Sequence, residues 1–238
     1  VNPTIVRLTA RAMLGGRRII LLAALAALLL ALAVFLRLVV DVNEAEAADL
    51  LRGVSLGTLL PLFGLIVGTG AIGPEIDDGS IVYLLSKPVP RSTIIHSKLA
   101  VAVTAMLVFA ALPTFLAGLI MAGGSGDVAV GFGVGAFAAG AVYSAIFLLL
   151  ATAMRHAVVL GLVYALIWES LVGSFVPGAQ VLSVHQWAVS VTAAITGPGT
   201  VDSNVGLGMA IVLLAAAFAA ATWYAGQRLR VHTLAGDE

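Results

Sequence analysis

Cysteine is absent from the 238 residues, which excludes disulfides, thiolate nucleophiles and Cys-ligated metals. Lysine is nearly absent: Lys87 and Lys98 are the only two. The four histidines, His96, His156, His185 and His232, are scattered without a pair at ligand spacing, and no HExxH occurs. No metal is expected to bind this chain. No GxxxxGK[ST] is present and neither lysine follows a glycine, so the chain carries no phosphate-cradling loop of its own. Charge of either sign is scarce. Only 10% of residues are charged and the net charge is zero, against 61% hydrophobic residues and a mean hydropathy of +1.11. So few charges cannot cover a water-soluble domain of this length, and the composition points to lipid as the solvent.

What is present is long apolar runs. A bilayer core about 30 Å thick needs roughly 20 apolar residues of helix. Six stretches meet this: 19–40, 54–72, 99–122, 128–154, 157–176 and 205–225. All are expected to be helical, because lipid offers no partner to an open backbone and the runs are continuous rather than alternating. The fold class expected is therefore an all-α polytopic membrane protein with six spans. Pro61 and Pro113 fall inside spans two and three, where each removes a backbone donor and bends its helix.

Basic residues orient the spans. With the N-terminus in the cytoplasm, ten of the twelve lie inside: Arg7, Arg11, Arg17, Arg18, Lys87, Arg91, Lys98, Arg155, Arg228 and Arg230. Arg52 falls in an outer loop and Arg37 near the outer end of span one. The outer loops carry Asp41, Glu44, Glu46, Asp49, Asp127 and Asp202. This is the positive-inside pattern, with both termini cytoplasmic. The first apolar run, followed by Ala45-Glu46-Ala47, could also be read as a signal peptide. At about 20 residues it exceeds the usual signal core of 7–15, so an uncleaved span is expected. Residues 3–18 precede it; Ile5, Leu8 and Ala12 share one helical side and Arg7, Arg11 and Arg18 another, as in a helix lying among headgroups.

Between spans two and three sits a polar island, "EIDDGSIVYLLSKPVPRSTIIHSK", residues 75–98. Asp77, Asp78 and Ser80 can cap a helix start. Ile81, Leu84 and Leu85 then form an apolar face with Tyr83 beside it, and Pro88 and Pro90 end the helix. Leucines exposed beneath a membrane call for a partner or for the lipid surface. The plainer reading is an ordinary charged loop.

The acidic pair with glycine, the hydrophobic core, "LLSKPVPR" and a lysine opening the next span resemble the coupling-helix region of ABC-2 type ABC transporter permeases. "WESLVGSFVPG" (168–178) and "LSVHQW" (182–187) are similar, more weakly, to the end of span five and the outer re-entrant segment of that family. The resemblance implies a permease subunit without ATPase activity. It dimerises, docks two copies of a separate ATPase subunit and carries an elbow helix at 3–18. It further implies that ATP and Mg2+ bind to that partner and no cofactor binds to this chain. Glu75 and Asp78 would orient the coupling helix or meet basic residues of the ATPase. Ile81, Tyr83, Leu84 and Leu85 would fill its groove, and Arg91 and Lys98 would anchor the loop to headgroup phosphates or to partner acids.

Glu169 lies about twelve residues into span five, where a carboxylate is costly. It is read either as an acid on a translocation path or as a hydrogen-bonded acid facing helix ends or Arg37. Residues 177–200 are too polar for a seventh span and suggest short helices dipping into the outer leaflet, with Trp187 at the interface. Gly53-x-x-x-Gly57, Gly64-x-x-x-Gly68 and Gly131-x-x-x-Gly135 allow close helix approach. The expected function is the membrane half of an ATP-driven exporter of a hydrophobic or amphipathic substrate, such as a drug, lipid or natural product. It would sit in a prokaryotic plasma membrane. A self-powered secondary transporter or channel is the alternative; a membrane-embedded enzyme is disfavoured by the lack of any nucleophile–base pair in the spans.

Overall fold

A computed structural model describes residues 1–40, 42–81, 83, 89–124, 126–154, 156–172, 179–197 and 199–231. Among them there are helices and connecting turns and no strand. Among the described residues, five helices are long and apolar enough to cross a membrane: Arg17–Val39, Glu44–Ile76, Arg91–Met121, Gly126–Ala153 and Leu207–Leu229. A further apolar helix, Ala157–Glu169, is shorter.

The first element, α1 (Pro3–Leu14), starts with Pro3 in its first turn and the Asn2 side chain accepting from the Thr4 amide. Ile5, Thr9 and Met13 are buried at four-residue spacing, while Arg7 and Arg11 are exposed. The face that packs on the bundle is thus Ile5–Thr9–Met13, offset from the Ile5–Leu8–Ala12 side expected; Leu8 is exposed. Thr9 holds a buried position because it faces Lys98 Nζ at 3.5 Å. Gly16, at φ 71°, turns the chain into α2 (Arg17–Val39).

The second span begins earlier than its apolar run suggests. Asn43 and Glu46 form a capping box that opens α3 (Glu44–Leu50), which continues through a π-helical segment, Leu51–Leu59, into α4 (Leu60–Asp77). The acidic stretch expected as an outer loop is therefore helix, with Ala47, Ala48 and Leu51 buried on one side. The third span likewise starts early, as α5 (Arg91–Met106) after an extended Pro90, then a π segment, Leu107–Ala111, then α6 (Leu112–Met121). Pro61 and Pro113 each occupy the second position of the α-helix that follows a π segment. The wider turn ahead of each proline removes the carbonyl with which its ring would clash.

After the left-handed Gly123 and Gly124, α7 (Gly126–Ala153) runs through the middle of the bundle. Glycines let its neighbours approach. A Cβ added at Gly68 of α4 would lie 2.7 Å from Phe147 Cβ, and one at Gly131 of α7 would lie 2.8 Å from Thr196. Thr192 seals the second contact by donating to the Gly131 carbonyl at 3.1 Å. Two of the three Gly-x-x-x-Gly patterns thus serve packing within one subunit.

Next come α8 (Ala157–Val163) and a π segment, Tyr164–Val172. A single 3-10 turn (Ala179–Leu182) leads to α9 (Val184–Thr196) and finally α10 (Leu207–Val231). Along its first turns α9 is buried against α7, and Trp187, expected at the membrane interface, is inside the protein with its indole N–H donating to the Val181 carbonyl at 2.7 Å.

Candidate functional site

Two polar centres are built into this apolar frame, one at each end. The first is at the base of the island. Near the end of α4, Glu75 faces the beginning of the next span, and Lys98 of α5 closes the gap. The Lys98 ammonium donates to Glu75 Oε1 at 2.7 Å and to the Ala71 carbonyl at 2.8 Å, with Thr9 Oγ1 at 3.5 Å. Lys98 is fully buried (0% exposed) and Glu75 is 28% exposed. One residue before it, Ser97 accepts from the Asn2 amide at 2.8 Å. The first helix α1, the second span and the third span are therefore joined at one point by a buried charge pair and the hydrogen bonds around it.

This corrects part of the sequence reading. Lys98, expected to reach headgroups or partner acids, turns inward and is spent on Glu75. Asp77 and Asp78, expected to open the inter-span helix, instead close α4, with Asp78 as its C-cap. Gly79, at φ 68°, reverses the chain, and Ser80 donates back to the Glu75 carbonyl at 3.5 Å. Beyond the turn, Ile81 is half-buried against the core and Tyr83 is 78% exposed. Leu84 and Leu85 lie outside the described residues. Arg91 is half-buried in the first turn of α5.

The second centre surrounds Glu169, which is fully buried. Its Oε1 accepts from Tyr164 Oη at 2.7 Å and the Val184 amide at 3.2 Å. Its Oε2 accepts from Ser183 Oγ at 2.6 Å and the His185 amide at 3.2 Å. The carboxylate thus caps the positive end of α9, where a negative charge is stabilised. Ser183, the N-cap residue, is held by Glu169 and accepts from the Gln186 amide at 3.4 Å. His185 reaches the second span, its Nε2 donating to the Arg52 carbonyl at 3.2 Å and its Nδ1 buried without a partner. Burial pushes the His185 imidazole below the ordinary value of 6.5.

Of the two readings of Glu169, this geometry matches the hydrogen-bonded acid facing a helix end. Its partners were missed in the sequence. Tyr164 lies five residues before Glu169, a separation that an α-helix puts on different faces and a π-helix, bonded i to i+5, aligns. Ser183 followed three residues later by Gln186 was the available signal for the helix start.

Among the described residues no group of three or more His, Asp or Glu side chains could hold a metal. The two centres share one kind of chemistry: each is a charge buried at a junction of helices, suited to fixing their relative positions. No curated protein matches the chain. The model of a family described as "ABC-2 family transporter protein" matches residues 16–197, which takes in the polar island, the Lys98–Glu75 pair, Glu169 and all of α9. With its multi-pass helical body, the chain belongs to the ABC-2 family of transporter proteins, as a membrane component of an ABC-type transporter.

Proposed function

We propose that the chain is the permease subunit of an ATP-driven exporter, with six spans and both termini in the cytoplasm of a prokaryotic cell. Two copies assemble with two ATPase subunits, which bind ATP and Mg2+; this chain binds neither. Closure of the ATPase pair pushes on the island at 75–98, and the spans switch a central cavity from inward to outward access. The substrate is hydrophobic or amphipathic, in keeping with spans that carry almost no charge.

One observation supports this reading most directly: the Lys98–Glu75 pair under the island. A force applied to a loop between two helices is lost if its ends can splay. Here the two ends are clamped across 2.7 Å, and α1 is tied to the same point. A buried ion pair adds little net stability over an apolar pair of similar size, so its retention fits a role in fixing one arrangement. Beside it, Asp78 is exposed at the negative end of α4, where the helix dipole disfavours it. A basic side chain of an ATPase would relieve that. Ile81 and Tyr83 lie next along the chain, beside residues 84–88.

The test is the paired variant Glu75→Gln with Lys98→Met in a complex reconstituted with its ATPase. The expected result is a folded complex that hydrolyses ATP but moves substrate at a small fraction of the wild-type rate per ATP. Unchanged transport per ATP would remove the clamp from the coupling path.

A further inference from the structure

Two cations sit on neighbouring carbonyls of α4, at the end of the bundle that holds the clamp. Lys98 of α5 donates to the Ala71 carbonyl at 2.8 Å, and Arg18, the second residue of α2, donates from Nη1 to the Gly70 carbonyl at 3.3 Å. Their charges are handled differently. Lys98 is paired with Glu75, whereas Arg18 forms no ion pair among the described residues. Arg17 beside it is exposed and Arg18 is half-buried. Positive-inside anchoring accounts for an exposed arginine and not for one that turns inward. Gly70 makes room for it: an added Cβ there would lie 3.5 Å from Arg18 Nη1 and 3.6 Å from its Cδ.

Arg18 lines a cavity of about 170 Å³ between α4 and the turn that joins α7 to α8. Most of its N–H donors remain, in the planar fork that matches a carboxylate or a phosphate. His156, just before α8, faces the same cavity. It is exposed and its ring makes no hydrogen bond among the described residues, so either nitrogen can present an N–H. Thr69 spends its hydroxyl proton on the Leu65 carbonyl at 2.6 Å. No acid lines the cavity, and at Gly73 an added Cβ would meet nothing within 4 Å, which leaves the α4 side open. The volume is below the roughly 300 Å³ at which pockets begin to hold a whole drug-sized ligand, so it takes a head group. At the mouth stand Val158 and Val159, 57% and 61% exposed, and one turn on Leu162 and Val163 continue the apolar strip along α8. The shape asks for a terminal acid on one apolar chain. A phosphodiester carrying two chains has bulk on both sides of its acid and does not enter end-on.

We propose that this cavity receives the terminal carboxylate or phosphate of a single-chain amphipathic substrate, with Arg18 as counter-ion, His156 as second donor and the chain lying along α8. The role as cargo rests on the export function proposed above. The binding itself does not, since no residue of the island or of the Lys98–Glu75 pair lines the cavity.

Protection of a thiol at the mouth tests this on the full chain in phosphatidylcholine nanodiscs. The chain has no cysteine, so Val158→Cys gives one site for a maleimide. Dodecyl phosphate and dodecanoate should slow its labelling, and dodecanol and dodecyltrimethylammonium should not. Adding Arg18→Gln should raise the half-protecting concentration about ten-fold or more, as loss of a charge-assisted hydrogen bond entails. Arg17→Gln, which removes the same charge from the exposed neighbour, should leave it unchanged. Should Arg18→Gln fail to fold, His156→Glu, at an exposed position, must abolish the protection by itself. Equal protection by dodecanol, or equal loss in Arg17→Gln and Arg18→Gln, overturns the proposal. So does full protection in nanodiscs that contain phosphatidylglycerol and no added amphipath, because lipid then fills the cavity. The measurement uses no ATPase, so a negative result leaves the export function standing. A reconstituted complex that moves no substrate, in turn, refutes export and leaves the acid site in place.

Discussion

Lys98 was legible as a residue that matters and illegible in what it does. As one of two lysines in a chain with few charges it stood out, but nothing local says that it points inward. Its partners are 23, 27 and 89 residues away in the chain. The energetics follow from that burial. Lys98→Met leaves the Glu75 carboxylate without its cation, and breaking a buried pair from one side costs about 3–5 kcal/mol. Glu75→Gln with Lys98→Met removes both charges and should recover most of that loss. Thermal unfolding in detergent of the two singles and the double checks this; a double variant as unstable as Lys98→Met would mean that packing, not charge, holds the junction. Glu169 gives a second case. Glu169→Gln turns one acceptor oxygen into a donor facing Ser183 or Tyr164, so about 1.5–3 kcal/mol per charged hydrogen bond is at risk. Hydrogen exchange over 184–196 should rise by one to two orders of magnitude while the start of α7 stays protected. Equal loosening in both places would indicate global destabilisation instead. His185 responds to pH. Its imidazole is held below 6.5 chiefly by burial, and protonating Nδ1 would place a donor where no acceptor lies. The folded state therefore favours the neutral ring: stability is full above about 6.5 and falls as the pH drops below it. Thermal unfolding at pH 7.5 and pH 5.5 should show a larger drop for the wild type than for His185→Asn.

At the scale of elements, the apolar runs located the membrane helices but missed their ends. Hydropathy marks where lipid is, whereas a helix ends where its caps and breakers are. Asn43 with Glu46 starts the second span before its apolar run begins, and after Pro90 the third starts at Arg91, eight residues ahead of Leu99. The π segments left no trace in composition, although the two prolines that follow them did. Small-residue patterns were visible as sequence and ambiguous as structure, since the same Gly-x-x-x-Gly serves contact within a subunit or between subunits. The structure separates two glycines of one helix by what surrounds them. At Gly68 a methyl group would meet the Ser144 carbonyl at 2.9 Å and the Leu148 amide at 3.0 Å, backbone atoms that cannot turn aside. Gly68→Ala should cost about 1–3 kcal/mol by forcing α4 off α7. At Gly73 nothing lies within 4 Å, so Gly73→Ala should be neutral or stabilise by up to about 1 kcal/mol through helix propensity. Equal effects at the two positions, measured by thermal unfolding in the same detergent, would argue against the packing of these two helices.

For the whole molecule, the all-helical, multi-pass class was legible and the arrangement of the helices was not. The central place of α7 follows from its glycines and alanines, which admit neighbours on every side, while α2 and α10 bury little of their surface. What decides topology is the apolar segment that begins with α8. Its described part, the 7 residues of α8 and the 9 of the π segment after it, accounts for about 24 Å of helix, against about 30 Å of hydrocarbon. The proposed six spans require this segment, with the residues after it, to cross nonetheless. Two exposed positions bracket the question: Tyr83 before the third span and Asp202 between α9 and α10. If the chain crosses between them three times, they lie on opposite sides; if the short helix turns back, they share one side. Because the chain has no cysteine, Tyr83→Cys and Asp202→Cys each create a single labelling site without further engineering. A membrane-impermeant maleimide should label the first only in inverted vesicles and the second only in right-side-out vesicles. Labelling of both from the same side would reduce the chain to five crossings and put α10 into the membrane in the reverse direction. That outcome would place Arg228 outside, against the charge asymmetry that orients every other span.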